Sequence, residues 1–218
     1  MCGAYGFLGV SGFKSSINIW LRYNLKNKPE ALDSYNLRPS MKALVVTRNS
    51  PNSGNYLTFG IKAPWDENHL LINAKSETVS QLRTFKKMFI EQRCLVPASF
   101  FYEWQKHEDG TKTPFCIKVK NNNAISFAGL HTKDGFVILT TKPNKLMESI
   151  HNRMPVILRK EDEEIWLNPD STESELTDLF APFPETEMEA YPVSKLINSA
   201  RSQGKELIER AKIQGSLI

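Results

Sequence analysis

Between residues 93 and 141 the chain repeats one pattern five times: a run of four to six mostly apolar residues, set off from the next by turn residues. The runs are 93–96, 100–105, 115–119, 125–130 and 136–141, with Asp109-Gly110, Asn121-Asn122-Asn123 and Asp134-Gly135 between them. Runs of this length are too short for helices, and their Val, Ile, Phe and Tyr content suits the half-buried surface of a sheet. Connections this short join antiparallel neighbours, because a parallel pair needs a crossover of about a dozen residues. Whatever else the chain does, it must wrap around this β-rich middle.

The flanking segments read as a mixture. Residues 5–7, 43–47, 56–61, 70–72 and 156–158 read as further strands, with a turn expected at Pro51-Asn52-Ser53-Gly54-Asn55 and Pro64-Trp65 in a loop. Tyr35-Asn36-Leu37-Arg38-Pro39 reads as irregular, since Pro39 holds Arg38 extended. Ile17, Trp20, Leu21 and Tyr23 fall at helical spacing, as do Val79, Leu82, Phe85 and Phe89. A short helix is expected near 146–150. Two more helices are expected in the acidic stretch, the second opened by a capping box of Thr172 with Glu175. The fold class is therefore α+β: one domain over 1–198 with a mostly antiparallel, barrel-like β core flanked by helices, and a peripheral tail over 199–218. A chain of 218 residues is long enough to bury such a core.

Composition excludes several classes. Hydrophobic content of 40% and charged content of 24% are those of an ordinary globular protein, and there is no apolar run of membrane-spanning length. Three cysteines without regular spacing (Cys2, Cys94, Cys116) argue against a disulfide framework and against a zinc site, which points to a reducing cytoplasm and to no metal or other cofactor. Charge is uneven: residues 1–160 carry 23 Lys+Arg against 11 Asp+Glu, while 161–189 carry 11 acidic residues and no Lys or Arg. A basic body of this kind attracts a polyanion such as nucleic acid, although a solvated surface of mixed charge explains the counts equally well.

The chemistry is concentrated at Met1-Cys2-Gly3. Cys2 is small enough for an aminopeptidase to remove Met1, leaving an α-amine and a thiol on adjacent carbons. Ordinary pKa values near ~8 and ~8.5 give both a usable unprotonated fraction at neutral pH. The amine condenses with an aldehyde to a Schiff base, and the thiol closes on the same carbon to a five-membered thiazolidine. Four further groups sit at the ends of apolar runs, where side chains converge on a cleft. Asn73 closes a strand, Glu103 is flanked by aromatics that would raise its pKa, and His151 and Arg153 precede a proline-bounded strand.

Read together, Met1-Cys2-Gly3, Tyr35-Asn36-Leu37-Arg38-Pro39, Phe59-Gly60-Ile61-Lys62-Ala63-Pro64-Trp65, Asn73-Ala74-Lys75-Ser76-Glu77-Thr78, Arg93-Cys94-Leu95-Val96-Pro97-Ala98, Phe101-Tyr102-Glu103-Trp104, Phe127-Ala128-Gly129-Leu130 and Ile150-His151-Asn152-Arg153-Met154-Pro155-Val156 resemble the ordered signature blocks of the SOS-response-associated peptidase (SRAP) family. The resemblance implies a monomer, cytoplasmic and nucleoid-associated when bound, that crosslinks itself to abasic sites in single-stranded DNA. Catalytic positions would fall on Cys2, Asn73, Glu103 and His151, and DNA-binding positions on Lys75, Arg153, Trp65, Trp104, Pro39 and Arg38. It further implies a lyase side activity and a peptidase activity that removes Met1. The tryptophans offer stacking faces and the cations phosphate contacts. The sequence departs from the family pattern at Ala4 and Lys75, where arginine is usual, at Phe100, where glycine is common, and at His131, where tryptophan is common. Two other readings compete: an N-terminal-nucleophile hydrolase, since glutamine amidotransferases also begin Met-Cys-Gly, and a non-catalytic single-strand binding module.

Overall fold

The computed structural model describes residues 2–8, 33–120 and 124–211; the helix read at 17–23 lies outside the described residues. Three runs of the β-rich middle form β8 (Arg93–Ala98), β11 (Ile125–His131) and β12 (Gly135–Thr141), paired antiparallel in the order β8-β11-β12. On the other edge of β8 lies β3 (Lys42–Thr47), then β4 (Ser50–Phe59), and β4 returns to β12 in parallel register. A ring of strands results. Short strands β7 (Asn73–Lys75), β13 (Met154–Pro155) and β14 (Ile157–Leu158) extend it by pairing with β12, β12 and β11 respectively. The molecule is an α+β domain with a barrel-like core.

The remaining runs, β9 (Phe100–Lys106) and β10 (Lys112–Val119), leave the ring at Ser99. They join β1 (Tyr5–Phe7), β2 (Ser34–Leu37) and β15 (Met188–Pro192) in an antiparallel sheet of order β15-β10-β9-β1-β2. Ser99 binds this junction, its amide donating to the Gly6 carbonyl and its hydroxyl accepting from the Leu8 amide. Gly6 is required there: a Cβ at this position would lie 2.0 Å from the Phe100 ring. The phenylalanine that stands where glycine is common is thus accommodated by a glycine on the neighbouring strand.

Aromatic rings fill the core. Tyr5 meets Phe59 and Phe127 edge-on at 5.7 and 5.9 Å, and Phe59 stacks on Phe136 at 5.3 Å. Helices α1 (Arg83–Glu91) and α3 (Asp162–Leu167) cover one side of the ring through Phe85, Met88, Phe89 and Trp166. Arg93 ties both helices to β8. Its guanidinium donates to the carbonyls of Phe89 and Ile90 at the end of α1 and of Trp166 and Asn168 at the end of α3, at 2.6–2.9 Å. A buried cation is tolerable there because helix C-termini present negative dipole ends, though burial still pulls its pKa down to about 10. Arg93→Met would strip its donors from the Phe89 and Trp166 carbonyls, while Ile90 keeps the Arg48 guanidinium and Asn168 the Ser171 amide, and a loss of about 3 kcal/mol is expected by denaturant unfolding.

Local expectations are corrected at several points. The hairpin turns at Arg48-Asn49 rather than at 51–55. Register jumps from Val46↔Gly54 to Thr47↔Ser50, so Pro51 falls in a bulge that asks nothing of its missing N–H. Residues 34–37 are a strand rather than irregular, because the open edge of β1 offers them a partner. Helix α1 starts at Arg83, with Val79 buried in the turns before it. The strand read at 156–158 shortens to β14 at Ile157–Leu158 on β11, while β13 just before it pairs with β12. Helix α2 (Lys145–Glu148) is capped by Asn144, and α4 (Glu173–Asp178) carries the expected capping box. Where a peripheral tail is read from 199, Leu207 is wholly buried against Tyr102 and Tyr191, and Gln203 bonds the backbone of Asn36 and Tyr35.

Candidate active site

Cys2 lies just before β1, and β1 runs antiparallel to β9, with Tyr5 opposite Phe101 and the Tyr102 amide bonded to the Ala4 carbonyl. Following that register backwards brings Cys2 alongside the Glu103–Trp104 end of β9. Asn73 reaches the same place from β7. Its amide nitrogen donates to the Cys2 carbonyl at 3.3 Å and to the Ile138 carbonyl at 3.2 Å, and its Oδ1 is buried without a partner. Asn73 opens a strand rather than closing one, because the parallel pairing with β12 begins at Asn73↔Ile138.

His151 follows α2, and its Nε2 lies 3.9 Å from Glu103 Oε2. The Arg153 amide is 3.1 Å from His151 Nδ1. When Nδ1 accepts that amide, Nε2 carries the proton and presents it to Glu103. Gln105, two residues beyond Glu103, donates to the Ser149 carbonyl at 2.9 Å and so fixes β9 against the segment that delivers the histidine. Cys2, Asn73, Glu103 and His151, up to 149 residues apart in sequence, are thereby gathered in one place.

Burial sets the electrostatics. Glu103 is 2% exposed, and desolvation raises its pKa to about 7, where both protonation states are populated at neutral pH. The Cys2 thiol is wholly buried, and desolvation, reinforced by the Glu103 charge, pushes it well above its ordinary value. The thiol is therefore held protonated. Burial also lowers the His151 pKa, which favours the neutral ring. Among the described residues no group of three His, Cys, Asp or Glu side chains is arranged to hold a metal ion, and all three cysteines are free and buried. No helix among the described residues is long and apolar enough to cross a membrane.

The residues expected at DNA differ in how free they are. Lys75 is exposed two residues after Asn73. Trp65 caps the hairpin of β5 (Ile61–Ala63) and β6 (Asp66–Leu71), 67% exposed, with the His69 ring 6.3 Å away. Trp104 is half-buried: its Nε1 donates to Asn198 Oδ1 at 2.8 Å, and the Arg38 guanidinium lies 5.1 Å from its ring. Arg38 is itself engaged, donating to Asn36 Oδ1 and to the Ile197 carbonyl. Pro39 is half-buried in the turn that follows. Arg38, Trp104, Lys112 and Asn198 line an open cleft of about 380 Å³. Lys112, Asn198 and Gln105 carry no sequence signal of their own, since each is one polar residue in an unremarkable context.

Comparison with known proteins gives a consistent set. Residues 1–200 match the family described as SOS response associated peptidase (SRAP). The chain is 43% identical over 191 residues to the "Abasic site processing protein YoqW" of Bacillus subtilis (strain 168), covering 81% of this chain and 85% of that one. It is 36% identical over 224 residues to "Abasic site processing protein YoaM" of the same organism, covering 96% and 98%. Its fold is similar to the crystal structure of a protein from Bacteroides thetaiotaomicron, with a TM-score of 0.80 at 26% identity, covering 95% and 99%.

Proposed function

Because the chain belongs to the SOS response associated peptidase (SRAP) family, we propose that it processes abasic sites in single-stranded DNA by covalent capture through Cys2. The observation that carries this reading is the meeting of Cys2 with a buried carboxyl of pKa about 7, a neutral histidine and an asparagine that holds the Cys2 carbonyl. The relatives' names as abasic site processing proteins support the substrate.

Met1 removal precedes capture, because an acylated nitrogen forms no imine. The free α-amine attacks the aldehyde of the ring-opened sugar; as the ring opens, its oxygen takes up the proton given up by the anomeric hydroxyl, and the neutral His151 Nε2–H hydrogen-bonds that oxygen. Glu103, ionised in part near neutral pH, takes the ammonium proton and returns it to the carbinolamine oxygen, which leaves as water. The imine acidifies the neighbouring C–H and invites elimination of the 3′ phosphate, which accounts for a lyase side reaction. The protonated thiol then adds across C=N, its proton passing to nitrogen. The carbon becomes sp³ and the strand is protected. Run backwards, proton donation from Glu103 to the ring reopens it. Trp65 and Trp104 stack bases without sequence preference, and Lys75 and Arg153 hold phosphates of a monomeric complex. The family's peptidase name fits removal of Met1 at this same site.

The test is intact-mass spectrometry of Met1-free protein mixed with single-stranded DNA bearing one abasic site, alongside Cys2→Ala. A heat-stable adduct of protein plus DNA less one water, absent from the variant, is expected. DNA binding without an adduct would leave a binding module. Neither binding nor adduct would return the site to amide hydrolysis.

A further inference from the structure

Arg153 ends in a fork that is already filled. Its Nη1 donates to Glu77 Oε1 at 2.5 Å and its Nη2 to Glu77 Oε2 at 2.8 Å, a bidentate pair across 76 residues of sequence. Nη2 also donates to the Thr140 carbonyl, while Nε is buried without a partner. The cation is anchored and the carboxylate is not: the Arg153 side chain is 14% exposed, the Glu77 side chain 50%. Glu77 is delivered by its neighbours, since Lys75 pairs with Thr140 and the Ser76 amide donates to the same Thr140 carbonyl at 2.9 Å. The Arg153 hydrogen bonds hold the Glu77 pKa below the usual carboxylate range, so the pair stays charged well below neutral pH.

A guanidinium fork accepts two carboxylate oxygens or two phosphate oxygens in the same geometry. We propose that Glu77 is a built-in stand-in for a DNA backbone phosphate on Arg153, displaced when a strand enters. This rests on the single-stranded DNA reading above. The half-exposed carboxylate swings into water, where it remains fully solvated, and Arg153 stays in place on Thr140 with the exposed Lys75 beside it. Two consequences follow. Glu77 weakens binding by competing for the fork. It also offsets the charge of Arg153, because the freed carboxylate stays near the strand, so the pair adds less to the salt dependence of binding than a lone cation would.

The test is fluorescence anisotropy with a labelled single strand lacking any abasic site, over a salt series, using wild type, Glu77→Gln, Arg153→Gln and the double variant. Glu77→Gln is expected to tighten binding about two- to five-fold, the range for one exposed ion pair. It should also steepen the slope of log K against log salt, by about 0.7 at most. Both effects should vanish in the Arg153→Gln background. Glu77→Asp, one methylene too short to span the fork, is the second variant and should shift in the same direction. Equal or weaker binding by both Glu77 variants, with wild type bound to DNA, overturns the stand-in alone. Absence of binding by every form overturns the DNA reading with it.

Discussion

Glu103→Gln is expected to slow adduct formation by about 10²–10⁴-fold, the usual contribution of one well-placed acid–base group. The amide fills the same space but neither takes the ammonium proton nor returns it to the carbinolamine. The pH profile separates this role from a merely structural one. Wild-type capture should rise through about pH 7 with ionisation of Glu103, whereas the variant should keep only the limb set by the α-amine near ~8. The same substitution should raise stability, with a sign that follows from the pKa. The folded carboxyl titrates at about 7 against an ordinary 4.5, so the fold favours its protonated form. Its stabilising contribution is complete below the unfolded value and is lost as pH rises through the folded one. At pH 4 and below the two proteins should melt together. Above pH 8 the variant should be more stable by about 3 kcal/mol at most, on the order of 5 °C or more in melting temperature. Equal capture rates across the range would remove Glu103 from the chemistry.

How much of this was legible beforehand differs between fold and site. The strands of the β-rich middle are plain in the sequence because each buries one or both faces against the ring, and burial selects the apolar runs that betray them. The errors fall on edges. Residues 34–37 and the bulged start of β4 have few apolar neighbours to satisfy, so their strand state comes from an open hydrogen-bonding partner that composition does not record. Leu207 and Ile208 illustrate a related blindness: two adjacent apolar residues between charged ones leave no periodicity, yet they pack into the cluster of Tyr102 and Tyr191. The meeting of Cys2, Asn73, Glu103 and His151 could not come from periodicity at all. It followed from ordered blocks, each weak alone, that only a single arrangement of the ring brings together. The Glu77–Arg153 pair shows where that method stops. Both residues stand inside signature blocks, but their meeting is a matter of how β7 and β13 register on β12, and a block carries no register.

Cys2→Ser is expected to turn a protector of the strand into a cutter of it. Serine keeps the small side chain that permits Met1 removal and keeps the α-amine, so the Schiff base still forms beside Glu103 and His151. Its hydroxyl is a far weaker nucleophile than a thiol and closes the ring poorly. Under the proposed mechanism the wild-type thiol does not need to ionise in advance, which suits a group whose burial holds it protonated, because an imine is electrophilic enough to take a neutral thiol. In the variant the imine persists, its acidified C–H is lost, and the 3′ phosphate departs by elimination. Heat-stable adduct should fall on the order of ten-fold or more, while cleaved strand on a denaturing gel rises in step. Borohydride added during the reaction should trap the variant's imine as a secondary amine, and should trap much less with wild type, whose crosslink is already saturated at that carbon. A Ser variant that yields neither trapped species nor cleavage would mean that the amine is not the first nucleophile, and that the thiol acts alone on a different electrophile.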